Sequence, residues 1–142
     1  WKHSVYPMAE SMGIFIRLPD VSPQPYTRLA FEGSLIAASQ NKAKEYNHRM
    51  FTAFFQDGLD IGKQSILESC AADIGMDPDK FGLELTNGRF RLQCQEQLLY
   101  GRKHLQITSV PTFIINNEIR ISGVVSKDSL LSIFEQEFTK NT

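Results

Sequence analysis

The chain has 142 residues, 42 % hydrophobic and 22 % charged, with a formal net charge of −1, which fits one domain able to bury a hydrophobic core. Lysine and arginine are scattered without a basic block and no apolar run reaches the length of a membrane span, so neither a nucleic-acid partner nor a membrane finds support. Cys70 and Cys94 stand alone, and His3, His48 and His104 show no ligand spacing, so no CxxC dithiol, zinc knuckle or other metal site can be written.

In chain order, Lys2 to Met12 has helical composition and stops at Gly13. Ile14 to Leu18 reads as a short extended piece, and the three prolines between Pro19 and Pro25 mark a loop. A helical period starts at Tyr26, with Leu29, Gly33, Ile36 and Ala37 on one face and Ala30 and Ala38 beside it. After Gln40-Asn41, Lys42 to Gln56 carries the stripe Tyr46, Met50, Ala53 and Phe54, widened by Phe51 and Phe55. Gly62 to Ile74 follows with Ile66, Leu67, Cys70, Ala71 and Ile74, closed by Gly75. Asp77-Pro78 is an N-cap and first-turn pair for a short helix carrying Phe81 and Leu85 to Asn87-Gly88. Arg89 to His104 places Phe90, Cys94 and Leu98 on one face. The period then changes to 2. Phe113–Ile115 and Ile119–Ile121 flank Asn116-Asn117, a turn pair that tolerates positive φ. Ser126 is placed as the N-cap of a last helix whose buried side is expected to be Leu130, Leu131, Phe134 and Phe138.

A two-stranded hairpin is marginal alone and its outer edge is a pairing template. Nothing else reads firmly as a strand, so at least two further strands are expected. The first residue is Trp1 rather than Met, and strands preceding it are the economical expectation, with a partner chain supplying them as the alternative.

Two stretches carry a resemblance. Ile107 to Phe134, ITSVPTFIINNEIRISGVVSKDSLLSIF, resembles the closing element of thioredoxin-fold proteins of the DsbA superfamily: an aliphatic approach, Val-Pro-Thr-Phe, a hairpin, a glycine and a helix. Phe51 to Asp77, FTAFFQDGLDIGKQSILESCAADIGMD, looks like the helical insertion of its FrnE-like members. The resemblance implies an α/β, thioredoxin-like fold with a helical insertion, here mostly helical plus a C-terminal β-hairpin and helix because the N-terminal βαβ is missing. Residues 1–106 would be the helical insertion with a remnant of the N-terminal half, and 107–142 the C-terminal ββα part.

In that family the first strand leads into a CxxC dithiol, which this resemblance puts upstream of Trp1. It also matches Pro111 to the family's cis-proline, so that Ser109, Val110 and Pro111 would bind substrate by strand addition without performing chemistry themselves. Cys70 and Cys94 lie on apolar stripes and are expected in the core, since free cysteine is among the most buried residue types; no catalytic residue is assigned. His48, His104, Asp57, Asp60 and Glu68 read as solvated or capping groups. Tyr46, Phe51, Phe54 and Phe55 can line a cleft, but helix core is the more economical account.

The implied function is a thiol–disulfide oxidoreductase acting on a protein or a small thiol or disulfide, needing no cofactor or metal. The same scaffold also serves the kappa-class glutathione transferases and 2-hydroxychromene-2-carboxylate isomerases, in which an upstream serine replaces the leading cysteine, and it can serve a binding module without thiols. On these residues alone no dithiol activity is expected. The resemblance and the few cysteines point to a cytoplasmic protein and allow a homodimer.

Overall fold

The computed structural model describes residues 5–140 and resolves the chain into two compact units, Trp1–Glu96 and Gln97–Thr142. Lys2, His3 and the start of the first expected helix lie outside the described residues.

The first unit is helical. Helix α1 (Val5–Ser11) ends before Gly13, whose φ of +69° favours glycine. Ile14 to Leu18, expected as a short extended piece, is in neither helix nor strand and pairs with no strand among the described residues; Arg17 N–H donates to Phe55 C=O. The proline-rich segment that follows is irregular and contains a cis Ser22–Pro23 bond.

Helices α2 (Arg28–Ser39), α3 (Ala43–Phe55), α4 (Gln64–Asp73) and α5 (Pro78–Thr86) pack around one core. Ile36, Tyr46, Leu67, Cys70, Phe81 and Leu85 are all under 2 % exposed, and each large apolar side chain removed from water contributes about 1.5–3 kcal/mol. The small stripe on α2 explains the tight packing. A Cβ built on Gly33 would lie 2.2 Å from the Tyr46 hydroxyl and 2.8 Å from the Phe81 ring, so glycine is the residue that lets those two side chains reach the helix. Ala38, expected beside this stripe, is exposed. At 3.6 residues per turn it falls outside the arc that Gly33 and Ala37 turn inward.

Polar contacts fix the connections. Lys42 Nζ donates to Ile74 C=O at 2.7 Å, covering the end of α4. Arg49 holds Asp57 at 2.7 Å and Asp73 at 2.8 Å, tying the loop after α3 to the last turn of α4. Asp77 caps α5 as expected: its Oδ1 accepts from Asp79 N and Lys80 N at 3.0 and 3.1 Å, and Pro78 opens the helix. Asp77→Ala is expected to destabilise the first unit by about 1 kcal/mol. Urea titration of variant and parent checks this, and an unchanged midpoint would show that the cap carries no net stability.

Helix α6 (Arg91–Lys103) contains no buried residue. Leu98, expected on its inner face, is 57 % exposed. In the second unit, β1 (Thr112–Ile115) pairs antiparallel with β2 (Ile119–Ser122), with Phe113 opposite Ile121 and Ile114 opposite Arg120. Asn116 (φ 52°) and Asn117 (φ 61°) make the turn, closed by Glu118 N–H to Ile115 C=O. Arg120 Nη1 donates to Leu105 C=O. Ser126 Oγ accepts from Ser129 N at 3.1 Å and starts α7 (Lys127–Lys140). Asn116 Nδ2 donates to Glu137 Oε2 at 3.2 Å, joining the turn to this helix.

The expected buried side of α7 needs correction. Leu131, Phe134 and Phe138 are 47, 42 and 76 % exposed, and only Leu130 of that set is half-buried. A two-stranded sheet presents too little surface to cover an amphipathic helix. The result is a mostly helical chain with a short C-terminal β-hairpin and a following helix, as in a DsbA-like thioredoxin fold; a strand–helix–strand unit is not among the described residues.

Candidate functional site

The segment between α6 and β1 brings Ser109, Val110 and Pro111 to the surface as one strip. All three are exposed, Val110 by 86 %. Its two ends are anchored through carbonyl groups. Ser109 C=O accepts from Thr112 Oγ1 at 2.6 Å, and Pro111 C=O accepts from Gly123 N at 2.8 Å. Gly123 has φ +95°, which an L side chain rarely adopts. The Val110–Pro111 peptide is cis. Between those two anchors, Val110 makes no backbone hydrogen bond among the described residues. An exposed valine at the entrance to a strand, with no backbone partner among the described residues, offers one donor and one acceptor to an extended chain.

The cysteines are poor nucleophiles. Cys70 is completely buried, and burial pushes its thiol pKa up; Asp73 and Asp57 push the same way while Arg49 opposes them. Cys94 is half-buried rather than in the core, because α6 presents no buried face. Its thiol is also pushed up, by burial first and then by Glu32, against Arg28. The thiolate is the reacting species, so neither position favours chemistry. Arg49 is held above its ordinary value: burial opposes its charge, but hydrogen bonds to Asp73 and Asp57 outweigh it.

Other sequence candidates separate. His48 and His104 are exposed. Asp57 pairs with Arg49, Asp60 accepts from Gly62 N at 3.0 Å, and Glu68 accepts from Gln64 Nε2 at 2.8 Å. Among the described residues, no group of three His, Cys, Asp or Glu is placed to hold a metal ion, and no helix is long and apolar enough to cross a membrane. Of the aromatic group, Tyr46 belongs to the core, whereas Phe51, Phe54 and Phe55 border a pocket of about 240 Å³ between α2 and α3.

Glu32 is the residue that sequence reasoning missed. It is 1 % exposed, bound by Arg28 Nη1 at 2.7 Å, with Arg91 Nε 3.9 Å away, and its Oε2 has no hydrogen-bond partner among the described residues. Its position three residues after Leu29 and four before Ile36 was the available signal, since that spacing puts it on the buried stripe.

Residues 2–135 match the DSBA-like thioredoxin domain family. The chain is also similar to the uncharacterized protein YwbO of Bacillus subtilis (strain 168), with 42 % identity over 128 residues. That match takes in 90 % of this chain and 64 % of the relative, so the chain spans just under two thirds of the relative's length.

Proposed function

The chain belongs to the DSBA-like thioredoxin domain family, and we propose that it is part of a thiol–disulfide oxidoreductase of the FrnE-like branch, in which Ser109, Val110 and Pro111 form the substrate platform beside a dithiol carried by another segment of the protein. The single observation that carries this reading is the exposed Val110, whose backbone has no partner among the described residues and whose two neighbours are anchored at the mouth of a strand. The hairpin, two-stranded among the described residues, supports it too, because a sheet of two strands calls for more strands.

In the reaction, one thiolate of the dithiol attacks a substrate disulfide sulfur. A mixed disulfide forms and the substrate's other sulfur leaves as a thiolate. The second thiol, losing its proton, then displaces the substrate, leaving the pair oxidised and the substrate reduced. Run in reverse, the same two exchanges oxidise a substrate dithiol. Val110 takes no electrons; its N–H and C=O hold the substrate chain extended so that its sulfur meets the attacking thiolate. Two free thiols, Cys70 and Cys94, suit a cytoplasmic setting, where such thiols persist.

Val110→Pro in the whole protein removes the N–H donor from the platform. It is expected to lower kcat/KM for a peptide disulfide about tenfold, the loss of one hydrogen bond in the transition state. Val110→Ala keeps the backbone and is expected to match the parent. Turnover of a small disulfide without a peptide backbone should be unchanged in both variants. Equal peptide activity in parent and Val110→Pro would remove the platform reading, and absence of dithiol turnover by the whole protein would remove the oxidoreductase reading itself.

A further inference from the structure

Arg120 lies on β2 directly opposite Ile114 of β1, so its side chain stands on the same face of the hairpin as that of Ile114. Position 120 is exposed, whereas Ile119 and Ile121 beside it are half-buried. An exposed arginine on an outer strand ordinarily stays solvated and discourages pairing with another chain. Two observations set this one apart. Its Nη1 donates to the Leu105 carbonyl, 15 residues earlier in the chain. It also forms no ion pair among the described residues, so its charge is committed to that carbonyl.

We propose that Arg120 is a positioning residue for the Val110 platform: by holding the Leu105 carbonyl against the hairpin, it orders the segment 105–109 and presets Val110 for an extended substrate chain. The kinetic role rests on the oxidoreductase reading, which supplies the substrate.

Leu105 follows the end of α6, where carbonyls lack partners within the helix and the helix dipole favours a cation. Leu105 N–H and Ile107 N–H donate back to the Tyr100 and Gly101 carbonyls at 3.1 and 3.0 Å, and Gln106 between them turns the chain with φ 48°. These bonds tie the segment to α6, which is a poor anchor. It has 13 residues and none is buried, and a helix of that length is marginal without tertiary packing. Downstream, Ser109 and Pro111 are held by Thr112 and Gly123. Among the described residues, the Arg120 contact is the only hydrogen bond from the hairpin to residues 104–108. Without it the approach to Val110 is fixed at one end, and a bound substrate must supply the ordering that arginine supplies in advance.

The test has two parts, both on the whole protein. In amide exchange, Arg120→Ala is expected to speed the Ile107 amide about tenfold, while the Leu130 amide of α7, bonded to the Ser126 carbonyl, stays within about twofold of the parent. In turnover, the same variant should raise KM for a peptide disulfide about fivefold with kcat unchanged, the pattern of lost substrate binding. A small disulfide without a peptide backbone should be turned over as by the parent. The contact uses one donor, so Arg120→Lys is expected to return the peptide KM to within about twofold of the parent. Added to Val110→Pro, Arg120→Ala should cost nothing further, because both act through the same platform. Unchanged exchange at Ile107 would overturn the proposal, and so would an equal rise in KM for both substrates or a full additional loss in the double variant. Absence of turnover by the parent would remove the oxidoreductase reading instead, and the Ile107 amide would still decide whether Arg120 orders the segment.

Discussion

Gly33→Ala is expected to destabilise the first unit by about 2 kcal/mol, because overpacking at such a site costs about 3 kcal/mol and the better helix propensity of alanine offsets about 1. The added methyl would sit 2.2 Å from the Tyr46 hydroxyl and 2.8 Å from the Phe81 ring. Both side chains are fully buried, and their rings are 5.6 Å apart at a tilt of 39°. Neither ring can withdraw without disturbing the other. Urea titration, with the midpoint compared at constant slope, checks the loss. The contact with the hydroxyl adds a second test: Gly33→Ala should cost less in a Tyr46→Phe background, by about 0.5–1 kcal/mol of coupling energy. A Gly33→Ala variant as stable as the parent would show that α2 can move away from α3 without losing the core.

Tyr46→Phe is the second large expectation, and its effect depends on pH. The Tyr46 hydroxyl is buried and has no hydrogen-bond partner among the described residues, so its loss near neutral pH is expected to leave stability unchanged or raise it by up to about 1 kcal/mol. Burial pushes the phenol pKa far above its ordinary value of 10.0, and Cys70 adds in the same direction. The folded protein therefore keeps a proton that the unfolded chain releases above about pH 10. This group's contribution is fully present below that pH and is lost at about 1.4 kcal/mol per pH unit above it. Tyr46→Phe removes that slope, so the difference in stability between variant and parent should widen in favour of the variant between pH 10 and 11.5. A difference that stays constant across this range would mean that the phenol ionises freely in the folded state.

Part of the fold was legible beforehand for local reasons. Asp77-Pro78, Asn116-Asn117 and Ser126 were readable because each satisfies or bends backbone within its own few residues. Gly33, Ile36 and Ala37 of the expected stripe, with Ala30 beside it, were readable because a helix repeats its face whatever it meets. Glu32 was passed over although it lies on that stripe, since an acidic residue there is buried only when cations such as Arg28 and Arg91 arrive beside it. Phe51 was expected to widen the core and instead stands at the mouth of a pocket.

By itself the sequence determined the order of helices and the hairpin, the caps and turns that separate them, and the lack of a paired dithiol within these residues. Those features depend on local backbone chemistry and on periodicity, which are carried within a single segment. Only the tertiary structure decided that Glu32 is buried, that the apolar side of α7 stays largely exposed, that Cys94 lies outside the core, and that Val110 finds no backbone partner among the described residues. Each of these depends on what a side chain or peptide group meets across space, and an apolar face has the same spacing in the chain whether another element covers it or not.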